Sequence, residues 1–122
     1  MKKIIPPMFH ACIDYSVVLI LFAGPSIFIS SAGVTAKCVS LLVGILMALV
    51  NVFTLYEGGI IRLVSMKLHL LIDKVVGVFL IIAPWLFGFN TQTFLFHVIT
   101  GAILLSVAVC TVGDIPSEFS PN

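Results

Sequence analysis

Three long stretches of this chain carry no charged side chain: residues 15–36, 38–56 and 75–113, the last broken only by His97. A water-facing surface could not absorb apolar runs of that length, whereas a lipid bilayer demands them. A hydrocarbon core about 30 Å thick takes roughly 20 apolar residues of helix at about 1.5 Å each. The first two runs fit one span apiece. The third is nearly twice a span, and its one polar cluster, FGFNTQTF at 87–94, supplies a turn through Gly88, Asn90 and Thr91. Composition agrees: 61% of the 122 residues are hydrophobic and 9% charged, against about 45–50% and 25% in soluble domains.

The expectation is an all-α membrane protein with four transmembrane helices, at roughly 11–31, 36–56, 68–88 and 92–112. In lipid every backbone donor and acceptor must be paired within the segment. Continuous rather than alternating apolar residues exclude a β-barrel. The whole chain, 1–122, reads as a single transmembrane domain.

Several classes drop out on simple grounds. A net charge of +1 without a basic patch leaves nothing for nucleic acid. Cys12, Cys38 and Cys110 form no CxxC pair and are expected to be buried small apolar residues, without a disulfide framework. The start MKKII with VTA at 34–36 imitates a secretory signal, but Asp14 interrupts its apolar stretch, so the first helix is expected to stay. Lys2 and Lys3 precede helix 1, and Arg62 and Lys67 lie between helices 2 and 3, while Lys37 alone lies on the other side. The positive-inside rule then puts both termini in the cytoplasm.

The chain also resembles itself. At an interval of 59 residues His10 meets His69, Ile13 meets Ile72, Asp14 meets Asp73 and Val17 meets Val76. Leu21, Pro25 and Phe28 meet Leu80, Pro84 and Phe87 in the same register. These positions trace one face of a helix. At an interval of 57, Gly44 meets Gly101, Val50 meets Val107, Thr54 meets Thr111 and Glu57 meets Asp114. The reading is two tandem helical hairpins, about 9–57 and 68–114, with pseudo-two-fold symmetry along the membrane normal. The shared stripe is expected to line that axis, since ionisable groups in a span face the bundle interior. Gly44 and Gly101 are expected to let helices approach closely.

The segment APWLFGF at 83–89, together with the duplicated hairpin, resembles the SPW-repeat family of small bacterial integral membrane proteins. That family is named for a Ser-Pro-Trp motif near the end of a transmembrane helix. Ala83 stands at the serine position, and the first copy, GPSIF at 24–28, keeps only Pro25 and Phe28. The resemblance covers most of the chain. It implies a fold and a bacterial cytoplasmic-membrane location, and it brings no catalytic activity. Physically, Pro25 and Pro84 loosen their helix ends, and Trp85 is an interfacial anchor.

The remaining polar residues gather at one level. His10 and Asp14, and likewise His69 and Asp73, lie four apart on one helix face. Glu57 and Asp114 end helices 2 and 4 nearby, with Lys74, Arg62 and Lys67 as expected counter-ions. Three readings stay open: histidine–aspartate hydrogen bonds that fix helix register, a proton or cation path, and a metal or anionic-ligand site. The HxxxD spacing is a weak metal signal, and no metal or cofactor is expected. His97 reads as an interfacial or packing histidine. Asn51, whose repeat partner is Ala108, is the one strong amide within a span. No GxSxG, Walker, haem or dinucleotide motif is present, so no enzyme is expected. The leading function is a structural or interaction module binding lipid, a copy of itself or a membrane partner. The alternative is a small proton or cation translocator built on His10, Asp14, His69 and Asp73.

Overall fold

A computed structural model of the protein describes residues 3–28, 33–54 and 59–113. Four helices make up most of these: α1 (Pro7–Phe28), α2 (Val34–Val52), α3 (Met66–Leu86) and α4 (Leu95–Cys110). The helices α1 and α2 are long and apolar enough to cross a membrane, over Pro7–Ile27 and Val34–Val52. Helix α3 has 21 residues but includes Lys67, Asp73 and Lys74. Helix α4, with 16 residues, reaches only about 24 Å at 1.5 Å per residue.

Helices α2, α3 and α4 end before the hydropathy pattern does, and the ends of α2 and α4, near His69 and His10, share one cause. Beyond α4, Thr111 turns to extended backbone and Val112 N–H donates to the Ile5 carbonyl (2.9 Å), while Ile4 and Ile5 N–H donate to the Cys110 carbonyl (2.8 and 3.0 Å). Beyond α2, Leu63 and Val64 N–H donate in the same way to the Phe53 carbonyl (2.9 and 2.7 Å). The stretch entering each odd helix thus pairs with the exit of the even helix of the other hairpin. Residues 59–65 are not helical, and α3 starts at Met66 behind Ser65, whose hydroxyl accepts from Leu68 N–H (3.2 Å). Helix α1 starts at Pro7, where a missing N–H costs nothing.

The helices pack chiefly as α1 on α2 and α3 on α4, with lighter α1–α4 and α2–α3 contacts. The shared stripe lies inside, with Val17, Leu21, Val76 and Leu80 buried along with Pro25 and Pro84. It stops at Phe87, which is 48% exposed. Phe87 is the C-cap of α3, and Gly88 follows at φ 75, the left-handed conformation that turns the chain off the helix. Trp85 is 54% exposed and rests against Phe94 at 5.7 Å between ring centroids. Cys12 and Cys38 are exposed, contrary to expectation, and all three cysteines are free. On a helix surrounded by lipid, an apolar residue has no need of protein cover.

Gly44 and Gly101 both serve close approach, each within its own hairpin. A Cβ on Gly44 would meet the Phe22 ring at 2.7 Å, and one on Gly101 would meet the backbone oxygen of Gly77 at 2.5 Å.

Candidate functional site

His10 and His69 are each the fourth residue of their helix, and Asp14 and Asp73 follow one turn later. With α1 and α3 side by side, the two pairs merge into a single ring. His10 Nε2 lies 2.8 Å from Asp73 Oδ2 on the other hairpin and 2.9 Å from Asp14 Oδ2 on its own helix. His69 Nε2 lies 2.8 Å from Asp14 Oδ2 and 3.0 Å from Asp73 Oδ2. The imidazoles meet edge to face, 5.2 Å apart. All four side chains have no exposed surface.

The outer edge of each imidazole is held by a threonine of the opposite hairpin. Thr111 donates its only hydroxyl proton to the Val107 carbonyl (2.5 Å), so toward His10 it must accept, and His10 Nδ1–H donates to it (2.7 Å). Thr54 likewise donates to the Val50 carbonyl (2.5 Å) and accepts from His69 Nδ1–H (2.6 Å). Both tautomers are thereby fixed with Nδ1 protonated, and both Nε2 atoms face the carboxylates. Each Nε2 then either donates a proton to a carboxylate or accepts one from a carboxyl group. A neutral cluster holds two such protons among its four groups. Among the side-chain oxygens of this ring, Asp14 Oδ1 and Asp73 Oδ1 are buried without a hydrogen-bond partner.

The predicted residues therefore divide. His10, Asp14, His69 and Asp73 come together, while Glu57 and Asp114 lie outside the described residues. Lys67 and Lys74 line a cavity of about 340 Å³ with Lys3, Leu70, Val112 and Gly113. The histidines are the ion-pair partners of the carboxylates. Pro25, Pro84 and Trp85 sit away from the ring at the opposite helix ends, and Gly44 and Gly101 pack helices. Thr54 and Thr111, which the sequence pairs by interval without giving them a role, bond to the two imidazoles.

The buried His97 and Asn51 stay apart from the ring, as do Ser40 and Thr100. His97 packs against Phe89 and Phe96, at 4.8 and 5.3 Å between ring centroids, and its Nε2–H donates to the Ala36 carbonyl at 3.3 Å. Asn51 is fully buried with both amide atoms unpartnered. Neither is among the residues bonded to the ring.

No curated protein and no solved structure matches this chain. The SPW repeat domain does, over residues 8–111, a stretch that takes in all four helices but for Pro7 and includes the ring with both threonines. With apolar helices of spanning length, that match marks a small membrane protein, and the chain belongs to the SPW repeat family.

Proposed function

We propose that this chain is a multi-pass protein of the bacterial cytoplasmic membrane that acts as a structural or interaction module rather than as an enzyme. In this reading all four helices span, both termini are cytoplasmic, and residues about 9–57 and 68–114 are tandem copies of one hairpin. The copies are related by a pseudo-two-fold axis along the membrane normal. Matched contacts support the axis: His10 with Asp73 and Thr111 mirrors His69 with Asp14 and Thr54. Lys3, Arg62 and Lys67 near the ring, against Lys37 at the far end, support the orientation.

The observation that carries the function is the closure of the ring. Each imidazole is engaged at both nitrogens, no member reaches solvent, and the next layer is Val17, Leu21, Val76 and Leu80, all buried and apolar. A buried ionic network of this kind fixes which helices meet and in what register. Outward faces such as Leu19, Ile27, Leu42 and Val75 meet lipid, a second copy or another membrane protein. The test is flux through proteoliposomes together with crosslinking in native membranes. The module reading expects no flux from folded protein and a specific crosslinked partner. Turnover of a substrate or conduction of an ion defeats it.

The second reading, proton or cation translocation, has one observation in its favour. Each Nε2 lies within 3.0 Å of two carboxylate oxygens, so a proton can change partner without heavy-atom movement. It expects wild-type flux that Asp14→Asn with Asp73→Asn abolishes in a folded protein.

A further inference from the structure

We infer that the ring is a binding site for one divalent transition-metal ion, held by His10 Nε2, His69 Nε2 and the carboxylates of Asp14 and Asp73. One ligand atom from each of the four residues lies within 4.8 Å of all the others. The types are right: imidazole nitrogen and carboxylate oxygen together suit zinc, iron or manganese better than magnesium or calcium.

The threonines strengthen the case. Histidines that ligate metals almost always donate their other N–H to an oxygen, which fixes the tautomer and aims the free lone pair. Both histidines here do so, and the hydroxyls that receive them have already committed their own protons. A purely structural hydrogen-bonded pair needs no such bracing on both sides. The unpartnered Asp14 Oδ1 and Asp73 Oδ1 are a second sign, since buried acceptors normally have a donor. A cation among the four residues supplies that missing positive partner.

Charge and distance are compatible. Two carboxylates and two neutral imidazoles carry a charge that a divalent ion cancels. Binding therefore exchanges one such ion for the two protons of the ring and leaves the buried cluster neutral. The Nε2 and Oδ2 atoms are 2.8–3.0 Å apart, and tetrahedral bonds of about 2.0–2.1 Å place ligand atoms about 3.3 Å apart. The four Nε2–Oδ2 edges have to open by about half an ångström, and any wider ligand pair, none above 4.8 Å, has to close toward the same spacing by side-chain rotation. A bound ion would join α1 to α3, so this inference rests on the reading of the ring as a clamp between hairpins and names what closes it.

The test uses the full chain, purified in detergent, stripped with chelator, loaded with Zn²⁺ and desalted. The expected result is one zinc per chain, release of two protons per ion in weak buffer, and a raised Tm. Replacing Cys12, Cys38 and Cys110 by serine should leave retention unchanged. Asp14→Asn with Asp73→Asn should abolish it. Should that variant fail to fold, Thr54→Val with Thr111→Val keeps every ligand and should weaken zinc binding about 10–100-fold. Folded wild type that retains no zinc overturns the inference, as does equal zinc affinity in wild type and the threonine variant. Either failure leaves the module reading standing, because flux and crosslinking decide that separately.

Discussion

The two hairpins build the same ring but close on themselves differently. In the first, Gly44 of α2 faces the Phe22 ring and Leu21 Cβ of α1, so the helices meet through side chains. In the second, Gly101 of α4 faces the backbone oxygen of Gly77, where the first hairpin has Val18, and the α3–α4 contact is the more extensive. The far ends differ as well. Ser40 donates to the Leu21 carbonyl within its own hairpin (2.5 Å), whereas His97, at the matching position, reaches across to Ala36 of the other hairpin (3.3 Å). Among the described residues, bond-for-bond correspondence is kept around His10, Asp14, His69 and Asp73 and at the helix entries beside them. Helix packing can be solved in more than one way, but the ring leaves little freedom, since each imidazole has a carboxylate on one side and a threonine on the other.

The hardest blow to that correspondence is loss of one ring member. Asp14→Asn and Asp73→Asn should each destabilise by about 3–5 kcal/mol, because a buried charge loses its partner. Chemical unfolding in detergent should show the two costs equal within about 1 kcal/mol. A large inequality would mean that one half of the ring dominates. Next come the glycines. Gly101→Ala should cost about 2–3 kcal/mol, since the added methyl meets backbone that cannot swing away, while Gly44→Ala should cost less than about 1 kcal/mol because the half-exposed Phe22 ring can move. Comparison of the two Tm values checks this, and equal losses would remove the distinction between the hairpins. Thr54→Val and Thr111→Val should each cost about 1–2 kcal/mol by leaving an imidazole N–H unmet. The smallest effect is expected at Asn51, whose amide has no partner. Asn51→Leu should be neutral or stabilising by about 1 kcal/mol, and a clear loss of stability would reveal a contact made by that amide.

The ring was legible because its chemistry repeats. Ionisable residues are scarce here, and two His–Asp pairs four residues apart at a fixed interval mark one helix face. The interval also paired Thr54 with Thr111. Their role was hidden because the bond runs from α4 to α1 and from α2 to α3, a relation no local pattern carries. Gly77 was missed since its counterpart is Val18, so no repeat flagged it. Helix ends were misjudged for a similar reason: the pairing of Ile5 with Thr111, and of Val64 with Thr54, is non-local backbone bonding invisible to hydropathy. Cys12 and Cys38 show the limit of equating apolar with buried when the surroundings are lipid.

The measurement closest to the central claim is a double-mutant cycle across the hairpins, combining His10→Gln with Asp73→Asn and following unfolding of the full chain in detergent. If the ring clamps α1 to α3, the two changes share one interaction, and their combined cost should fall short of the sum by about 1.5 kcal/mol or more. Costs that add within about 0.5 kcal/mol would mean that His10 and Asp73 act independently, and that the hairpins are held together by something else.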